Sequence, residues 1–138
     1  MTTTVTRAWV LPMMAVSLLV GSLGCGGGDL PELGTVKGKV TMDGKPLAGV
    51  MVQFHPLAQG RPGSGVTDKD GNYVLMYDGG VKGTKVGTNK VEINTVWPDG
   101  EPGEGQSETI LPKYNSATTL KEEIKKGSNT FDFALQSK

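Results

Sequence analysis

The sequence predicts an all-β protein, built as a two-sheet β-sandwich behind an N-terminal export segment. Three observations lead to this prediction. The 21 glycines and 8 prolines form about a fifth of the 138 residues, which favours many turns over long helices. Several runs alternate between apolar and polar residues, which is the pattern of half-buried strands. Asp-Gly turn signals stand between such runs, at Asp43-Gly44 and Asp70-Gly71.

Residues 1–24 are predicted to be a signal peptide. Ala8 to Val20 is a nearly unbroken apolar run, with Arg7 ahead of it and small residues after it. A helix over these 13 residues reaches only about 20 Å, short of the roughly 30 Å hydrocarbon core of a bilayer. We therefore expect export rather than a membrane span. A buried N-terminal helix is less favoured, because no later segment of similar apolarity is available to pack against it.

The only cysteine, Cys25, follows this run directly. The segment Ser22-Leu23-Gly24-Cys25 resembles the lipobox of bacterial lipoproteins, whose cysteine is diacylated and becomes the first residue. That family usually has leucine three places before the cysteine and a small residue two before, where Ser22 and Leu23 stand here. The resemblance implies lipidation of Cys25, for example by palmitate, and a membrane partner through the lipid anchor. It also implies a place in the cell envelope, at the outer membrane or on the periplasmic face. The alternative is an ordinary signal, cleaved nearby, and a secreted protein.

Residues 25–34 begin with Gly26-Gly27-Gly28 and are predicted to form a flexible tether after the lipidated cysteine. The chain from Cys25 onward has 13 bases and 14 acids, so we expect no strong attraction to anionic lipid. With bases and acids in balance, the sequence also shows no excess of basic residues that would favour binding to nucleic acid. With one cysteine and one histidine in the whole chain, a zinc site of the usual ligands is excluded. We expect no metal and no cofactor.

The folded domain is predicted over residues 35–138, and its first strands are the clearest. Residues 35–42 alternate strictly up to the hairpin turn at Asp43-Gly44. In the next run Val50, Val52 and Phe54 line one face, and Pro56 ends the strand.

The later strands follow at similar spacing. Residues 65–77 predict a second hairpin, folded over 68–71, and residues 91–95 predict a strand that ends at Trp97. A closing strand is expected over 131–135. Residues 119–127 fit either a strand, with Glu122 inward or at an edge, or a helix, and the all-β surroundings favour the strand. We expect the core to rest on five aromatic residues: Phe54, Tyr73, Trp97, Phe131 and Phe133.

Two stretches carry a family resemblance. Residues 38–54, with the turn sequence DGKPLAGV, and residues 67–75, with TDKDGNYVL, resemble the carboxypeptidase regulatory-like domain. The resemblance implies a transthyretin-like (prealbumin-type, Ig-like) sandwich of about seven strands. Residues 111–133 are similar to a stretch of small bacterial lipoproteins that bear this domain. These motifs are turn and core positions, so they point to a fold and not to an activity. Where the domain accompanies a peptidase, it does not carry the catalytic residues.

Candidate binding residues are few. Trp97 and Tyr114 are the possible ligand-contact aromatics, since together they would offer a platform to a sugar or a partner, although aromatics at strand ends more often belong to the core. Asp68 and Asp70 precede Gly71 as in a calcium loop, but the later positions of that loop do not match. An Asx turn explains them better.

The remaining polar candidates have simpler interpretations. His55 lies on the polar face of its strand with no legible partner, so we expect a solvated surface residue. Glu101, Glu104 and Glu108 form an acidic stretch that we expect to be a solvated loop.

Together these observations predict a non-catalytic, lipid-anchored envelope protein, a binding or structural module exposed outside the cytoplasm. Its partner would be an envelope polymer, a glycan or a surface protein. The alternative is a secreted or surface module that binds a carbohydrate or small ligand through loops near Trp97 and Tyr114. An enzyme is not expected, because the sequence shows no recognisable pair of acid and base residues and no nucleophile with an adjacent general base.

Overall fold

The computed structural model describes residues 30–138, so the predicted signal peptide, Cys25 and most of the predicted tether lie outside the described residues. Within residues 30–138 no helix is long and apolar enough to cross a bilayer. This part of the chain contains two short 3-10 helices, Asp78–Gly80 and Pro112–Tyr114. Its ten strands are β1 (Leu33–Met42), β2 (Lys45–Pro46), β3 (Val50–Pro56), β4 (Gly63–Val66), β5 (Asn72–Val74), β6 (Thr84–Lys85), β7 (Gly87–Thr95), β8 (Lys121–Ile124), β9 (Gly127–Thr130) and β10 (Phe133–Leu135).

β1 is the central strand of the first sheet. Along one edge it pairs antiparallel with β6, β5 and β2, and along the other it pairs parallel with β9 and β10. The first and last strands are therefore neighbours, with Val40 opposite Phe133. Val36 and Val40 are buried while Lys37 is exposed, as the alternation predicts.

The second sheet is antiparallel, in the order β4-β3-β7-β8. Val52 and Phe54 of β3 lie opposite Ile93 and Val91 of β7, and all four side chains are fully buried. The inner faces of the two sheets form one core, so the prediction of an all-β sandwich is confirmed. There are ten strand segments rather than about seven, because several edge strands are only two to four residues long.

The predicted hairpin over residues 65–77 forms only in part, since Ser64 and Met76 make one antiparallel bridge with two backbone hydrogen bonds. The turn at 68–71 forms, but β4 pairs with β3 while β5 pairs with β1, so the turn carries the chain from one sheet to the other. The backbone on each side of the turn forms hydrogen bonds to a different strand, β3 before the turn and β1 after it. Thr67 N–H donates to the carbonyl of Val50 (2.9 Å), whereas Val40 N–H donates to the carbonyl of Gly71 (2.8 Å).

Of the five aromatic residues predicted for the core, Phe54, Tyr73 and Phe133 belong to the buried cluster and the other two do not. Trp97 follows the end of β7, is half-buried and lies outside the core cluster, so its prediction as a core residue is wrong. Phe131 is half-buried and packs at the edge of the cluster. Aliphatic residues fill the remaining space. The buried cluster consists of Val36, Val40, Val50, Val52, Phe54, Tyr73, Leu75, Val91, Ile93, Ile110, Ile124, Phe133 and Leu135.

Residues 119–127 contain a strand, β8, so the favoured prediction is confirmed. Ile124 is buried, and Glu122 lies opposite the buried Asn89, which turns it inward at the sheet edge. Burial raises the pKa of Glu122 above its ordinary value.

The predicted closing strand is the second of two segments, because the ladder with β1 is interrupted at Phe131 and Asp132. The carbonyl of Phe131 accepts a hydrogen bond from the Tyr73 hydroxyl (2.7 Å), and Asp132 Oδ1 accepts one from Lys39 N–H (2.8 Å). Gly38 leaves the space for this arrangement, since a Cβ at that position would lie 1.7 Å from the Phe131 oxygen. Burial, together with the charges of Asp132 and Glu122, raises the pKa of the Tyr73 hydroxyl, which therefore stays a donor.

The sandwich has two ends, which orient the rest of the molecule. The tether end, where the chain enters β1, consists of residues 30–32, 57–62, 77–87 and 125–127. The distal end consists of residues 43–49, 67–71, 96–117 and 136–138. Backbone hydrogen bonds join the segments of each end, for example Val86 N–H to the Glu32 carbonyl and Val96 N–H to the Gly49 carbonyl. The ten residues of β1 separate the two ends by about 30 Å.

Candidate functional site

The two predicted ligand-contact aromatics both lie at the distal end, but they do not form a stacked pair. Trp97 follows β7, and Tyr114 ends the second 3-10 helix. The stacked or tilted ring pairs among residues 30–138 lie in and around the core, between Phe54 and Phe131, Phe54 and Phe133, and Tyr73 and Phe133.

Tyr114 is engaged within the fold. Its hydroxyl accepts a hydrogen bond from Gln136 N–H (3.0 Å), its ring packs against the core, and Lys113 Nζ lies 5.1 Å from the ring centroid. These contacts tie the C-terminal segment to the distal end. Trp97, in contrast, is half-buried and is not packed against the core cluster. Ligand contact by either residue stays a prediction.

The acidic loop of the distal end is fastened by Glu108. Its carboxylate accepts hydrogen bonds from Thr95 N–H (3.0 Å), Thr95 Oγ1 (2.6 Å) and Ile110 N–H (2.8 Å). Burial acts to raise the pKa of Glu108, but these hydrogen bonds outweigh it and lower the pKa. Glu108 is exposed, as expected of a solvated loop, and its carboxylate also fastens that loop to Thr95. Glu101 and Glu104 are exposed at the tip of the loop, as expected.

The turn at Asp68 is an Asx turn, as predicted. Asp68 Oδ1 accepts hydrogen bonds from Asp70 N–H and Asn72 N–H, both at 2.9 Å. Its carboxylate is thereby used to hold the crossing between the sheets. In the described part of the chain, no group of three or more histidine, cysteine, aspartate or glutamate side chains is placed to hold a metal ion.

His55 lies in an ion cluster on the outer face of the second sheet. Its Nε2 is 3.4 Å from Glu92 Oε2, and Lys90 Nζ is 2.6 Å from Glu92 Oε1. The His55 side chain is 35% exposed, so it is half-buried rather than fully solvated as expected. Its Nε2 atom is buried and forms no hydrogen bond to any of residues 30–138. The arrangement is a cross-strand charge cluster between β3 and β7.

Two adjacent clefts lie at the tether end, with volumes of about 330 and 580 Å³. Both are lined by Arg61, Tyr77 and Asp78, and the larger is also lined by Leu30 and Pro31. Arg61 and Asp78 form an exposed ion pair between the loop after β3 and the first 3-10 helix. Sequence reasoning missed these clefts, because the only signal was the glycine and proline content of the two loops.

No model of a known protein family and no curated protein sequence matches the chain. Two solved structures are similar to it at low identity. A DUF3823 family protein from Parabacteroides merdae is 16% identical with a TM-score of 0.40, over 77% of this chain and 46% of that one. The dioxygenase domain of a dioxygenase carbohydrate-binding protein fusion from Streptomyces sp. SirexAA-E is 20% identical with a TM-score of 0.39, over 80% of this chain and 83% of that one. This chain thus spans less than half the length of the Parabacteroides protein, and likenesses at these scores carry no argument about its activity.

Proposed function

We propose that this chain is a non-catalytic, lipid-anchored binding module of the bacterial cell envelope, with the distal end as its binding end. One observation carries the proposal. The chain enters the sandwich at Leu33, whereas Trp97 and the acidic loop after it lie at the opposite end, about 30 Å away. An anchor at Cys25 would therefore hold the domain by one end and present the other to partners outside the cytoplasm.

The lengths agree with this arrangement. Leu30 is five positions after Cys25, and an extended chain spans up to about 17 Å over five positions. The tether end would then stay close to the bilayer surface, while the distal end would stand well clear of it. The resemblance to carboxypeptidase regulatory-like domains supports the same proposal, since that domain does not carry the catalytic residues of its peptidases.

The proposal of a non-catalytic protein is supported by what the polar side chains contact. The carboxylates of Glu108 and Asp68 bond to backbone N–H groups, and His55 lies against Glu92. Each of these groups has a structural role that explains its position.

The test is membrane partition of the full-length chain in a bacterium, beside a Cys25→Ser variant. A Ser22→Ala variant is the matched control, since it changes the same segment and keeps the thiol. We expect wild type and Ser22→Ala to float with membranes, and Cys25→Ser to be soluble or unprocessed. Release of the same cleaved, soluble product from all three variants contradicts the lipid anchor.

A second candidate is a secreted or surface module that binds carbohydrate, which the half-exposed Trp97 favours. The test is titration with neutral and acidic envelope oligosaccharides, comparing wild type with Trp97→Ala. Tyr114→Phe is the control, because it keeps a ring and loses only the hydroxyl contact to Gln136. We expect Trp97→Ala to lose binding with little change in melting temperature. A large loss of stability, with no oligosaccharide bound by wild type, contradicts this candidate.

A further inference from the structure

The charges of the domain are separated between its two ends. Bases and acids balance over the whole chain, 14 against 14. The segments of the tether end, however, contain five bases and two acids, whereas those of the distal end contain four bases and seven acids. The fold therefore turns a neutral sequence into a domain with one positive and one negative end.

At the tether end, the two acids are already paired. Glu32 Oε1 lies 2.9 Å from Lys126 Nζ, and Asp78 pairs with Arg61. The remaining bases are Lys82, Lys85 and Lys125, none of which has a carboxylate partner among residues 30–138. Lys85 Nζ donates to the carbonyl of Gln59, which leaves its charge in place. Three lysine charges thus remain uncompensated at this end of the domain.

Exposed apolar side chains lie among these lysines. Leu30, Leu57 and Val81 are 55%, 56% and 38% exposed. Val74 and Met76, also exposed, lie on the adjoining outer face of the first sheet. Next to the distal end, within the part that the structure describes, the exposed large apolar side chain is Val66, at 49%, so the exposed apolar side chains are concentrated at the tether end. Lysines interspersed with exposed aliphatic side chains suit a membrane interface with anionic headgroups.

We propose that the tether end docks onto the anionic lipid headgroups of the membrane that holds the chain, so that the domain stands upright on the bilayer. This inference rests on the proposed lipid anchor, which supplies the short tether and brings the surface to the membrane. The acidic distal end is repelled by the same headgroups, which reinforces the orientation. Net charge alone predicts no strong attraction to anionic lipid, whereas the separation of charge between the two ends favours attraction at the tether end.

The magnitude follows from the three free lysines. Each lysine near an anionic surface contributes about a fivefold preference, so together they favour the docked orientation by on the order of 100-fold. The attraction weakens with salt, because exposed charges are screened over about 10 Å at 0.1 M ionic strength.

The experiment uses the lipidated full chain in vesicles of phosphatidylglycerol and phosphatidylcholine, or of phosphatidylcholine alone. Single cysteines introduced by Leu57→Cys, Val81→Cys and Ser107→Cys carry a spin label, since the thiol of Cys25 is acylated. With phosphatidylglycerol present, we expect the labels at 57 and 81 to report lipid contact, while the label at 107 stays accessible to a water-soluble relaxation agent. Labels at 57 and 81 that are as water-accessible as the label at 107 overturn the docking.

Charge reversal provides the matched comparison. In Lys82→Glu/Lys85→Glu/Lys125→Glu, we expect the ratio of docked to undocked protein to fall by more than about 100-fold, because the reversal removes three attractions and adds three repulsions. Lys45→Glu/Lys69→Glu/Lys113→Glu makes the same change at the distal end, and we expect no loss of docking. Equal effects of the two triple variants overturn the proposal. A chain that remains bound to vesicles with all labels in water refutes docking and leaves the anchor intact, whereas a chain that never partitions into membranes refutes both.

Discussion

Among the described glycines, Gly38 is the one whose replacement by alanine should cost the most free energy of unfolding, because an added Cβ makes its closest contact there. A Cβ there would lie 1.7 Å from the carbonyl oxygen of Phe131, so Gly38→Ala must push that peptide away from β1. Three hydrogen bonds hold the peptide and its neighbour: Tyr73 hydroxyl to the Phe131 carbonyl (2.7 Å), Phe131 N–H to the Lys37 carbonyl (3.0 Å) and Lys39 N–H to Asp132 Oδ1 (2.8 Å).

The expected loss can be worked from these contacts. Each hydrogen bond contributes about 1 kcal/mol, so breaking all three costs about 3 kcal/mol. The lower entropy of alanine in the unfolded chain returns about 0.5–1 kcal/mol. The net destabilisation of Gly38→Ala is therefore about 2–2.5 kcal/mol, which lowers the melting temperature of a domain of this size by roughly 10–20 °C.

The assay is urea and thermal unfolding followed by circular dichroism, with Gly103→Ala as the control. Gly103 lies in the exposed distal loop, where a Cβ meets only the mobile end of Gln106, so the control should stay within about 0.5 kcal/mol of wild type. A double variant with Tyr73→Phe should lose less than the sum of the single losses, because both changes act on the same carbonyl. If Gly38→Ala is as stable as Gly103→Ala, the close approach to Phe131 is not what keeps glycine in this strand.

Glu108 and Glu122 should make the stability of the fold depend on pH in opposite directions. Hydrogen bonds lower the pKa of Glu108 in the fold, so its contribution is present above the ordinary value of 4.5 and is lost as the pH falls through the folded pKa. Glu108→Gln should cost about 1 kcal/mol at pH 7 and little at a pH below the folded pKa, and an equal cost under both conditions contradicts the assignment. Burial raises the pKa of Glu122, so its protonated form favours the fold, and this stability is lost as the pH rises through the folded pKa. Glu122→Gln should thus be more stable than wild type at pH 7, by less than about 1 kcal/mol, with the gain absent at low pH; a loss at pH 7 shows that the carboxylate is needed.

Much of the sandwich follows from local patterns in the sequence. The alternation of Val50, Val52 and Phe54 places three core residues correctly, and Asp43-Gly44 makes the hairpin between β1 and β2. The turn at Asp68 shows where such reasoning ends. Its local chemistry is the same whether the arms stay in one sheet or cross between two, and long-range bonds to β1 and β3 decide the outcome.

The features of the two ends are harder to predict, because they depend on residues that are distant in the chain. Glu108 resembles its acidic neighbours in sequence, and only its distance to Thr95 distinguishes it. The ion pair of Arg61 with Asp78 joins two loops that each look like plain connections. Trp97 is predicted to lie in the core as an aromatic residue at a strand end, yet the buried cluster contains the aliphatic residues Ile110 and Ile124 instead.

The parallel pairing of β1 with β9 and β10 has a consequence for the order of folding. Val40 and Phe133 are paired across 93 positions of the chain, so the first sheet cannot close until the C-terminal residues are available. A chain passing N-terminus first through an export channel would thus remain open until its last strand emerges. Truncation before Phe133 removes two core residues, Phe133 and Leu135, and leaves that edge of β1 without its last partner. Residues 133–138 therefore complete the first sheet and the core.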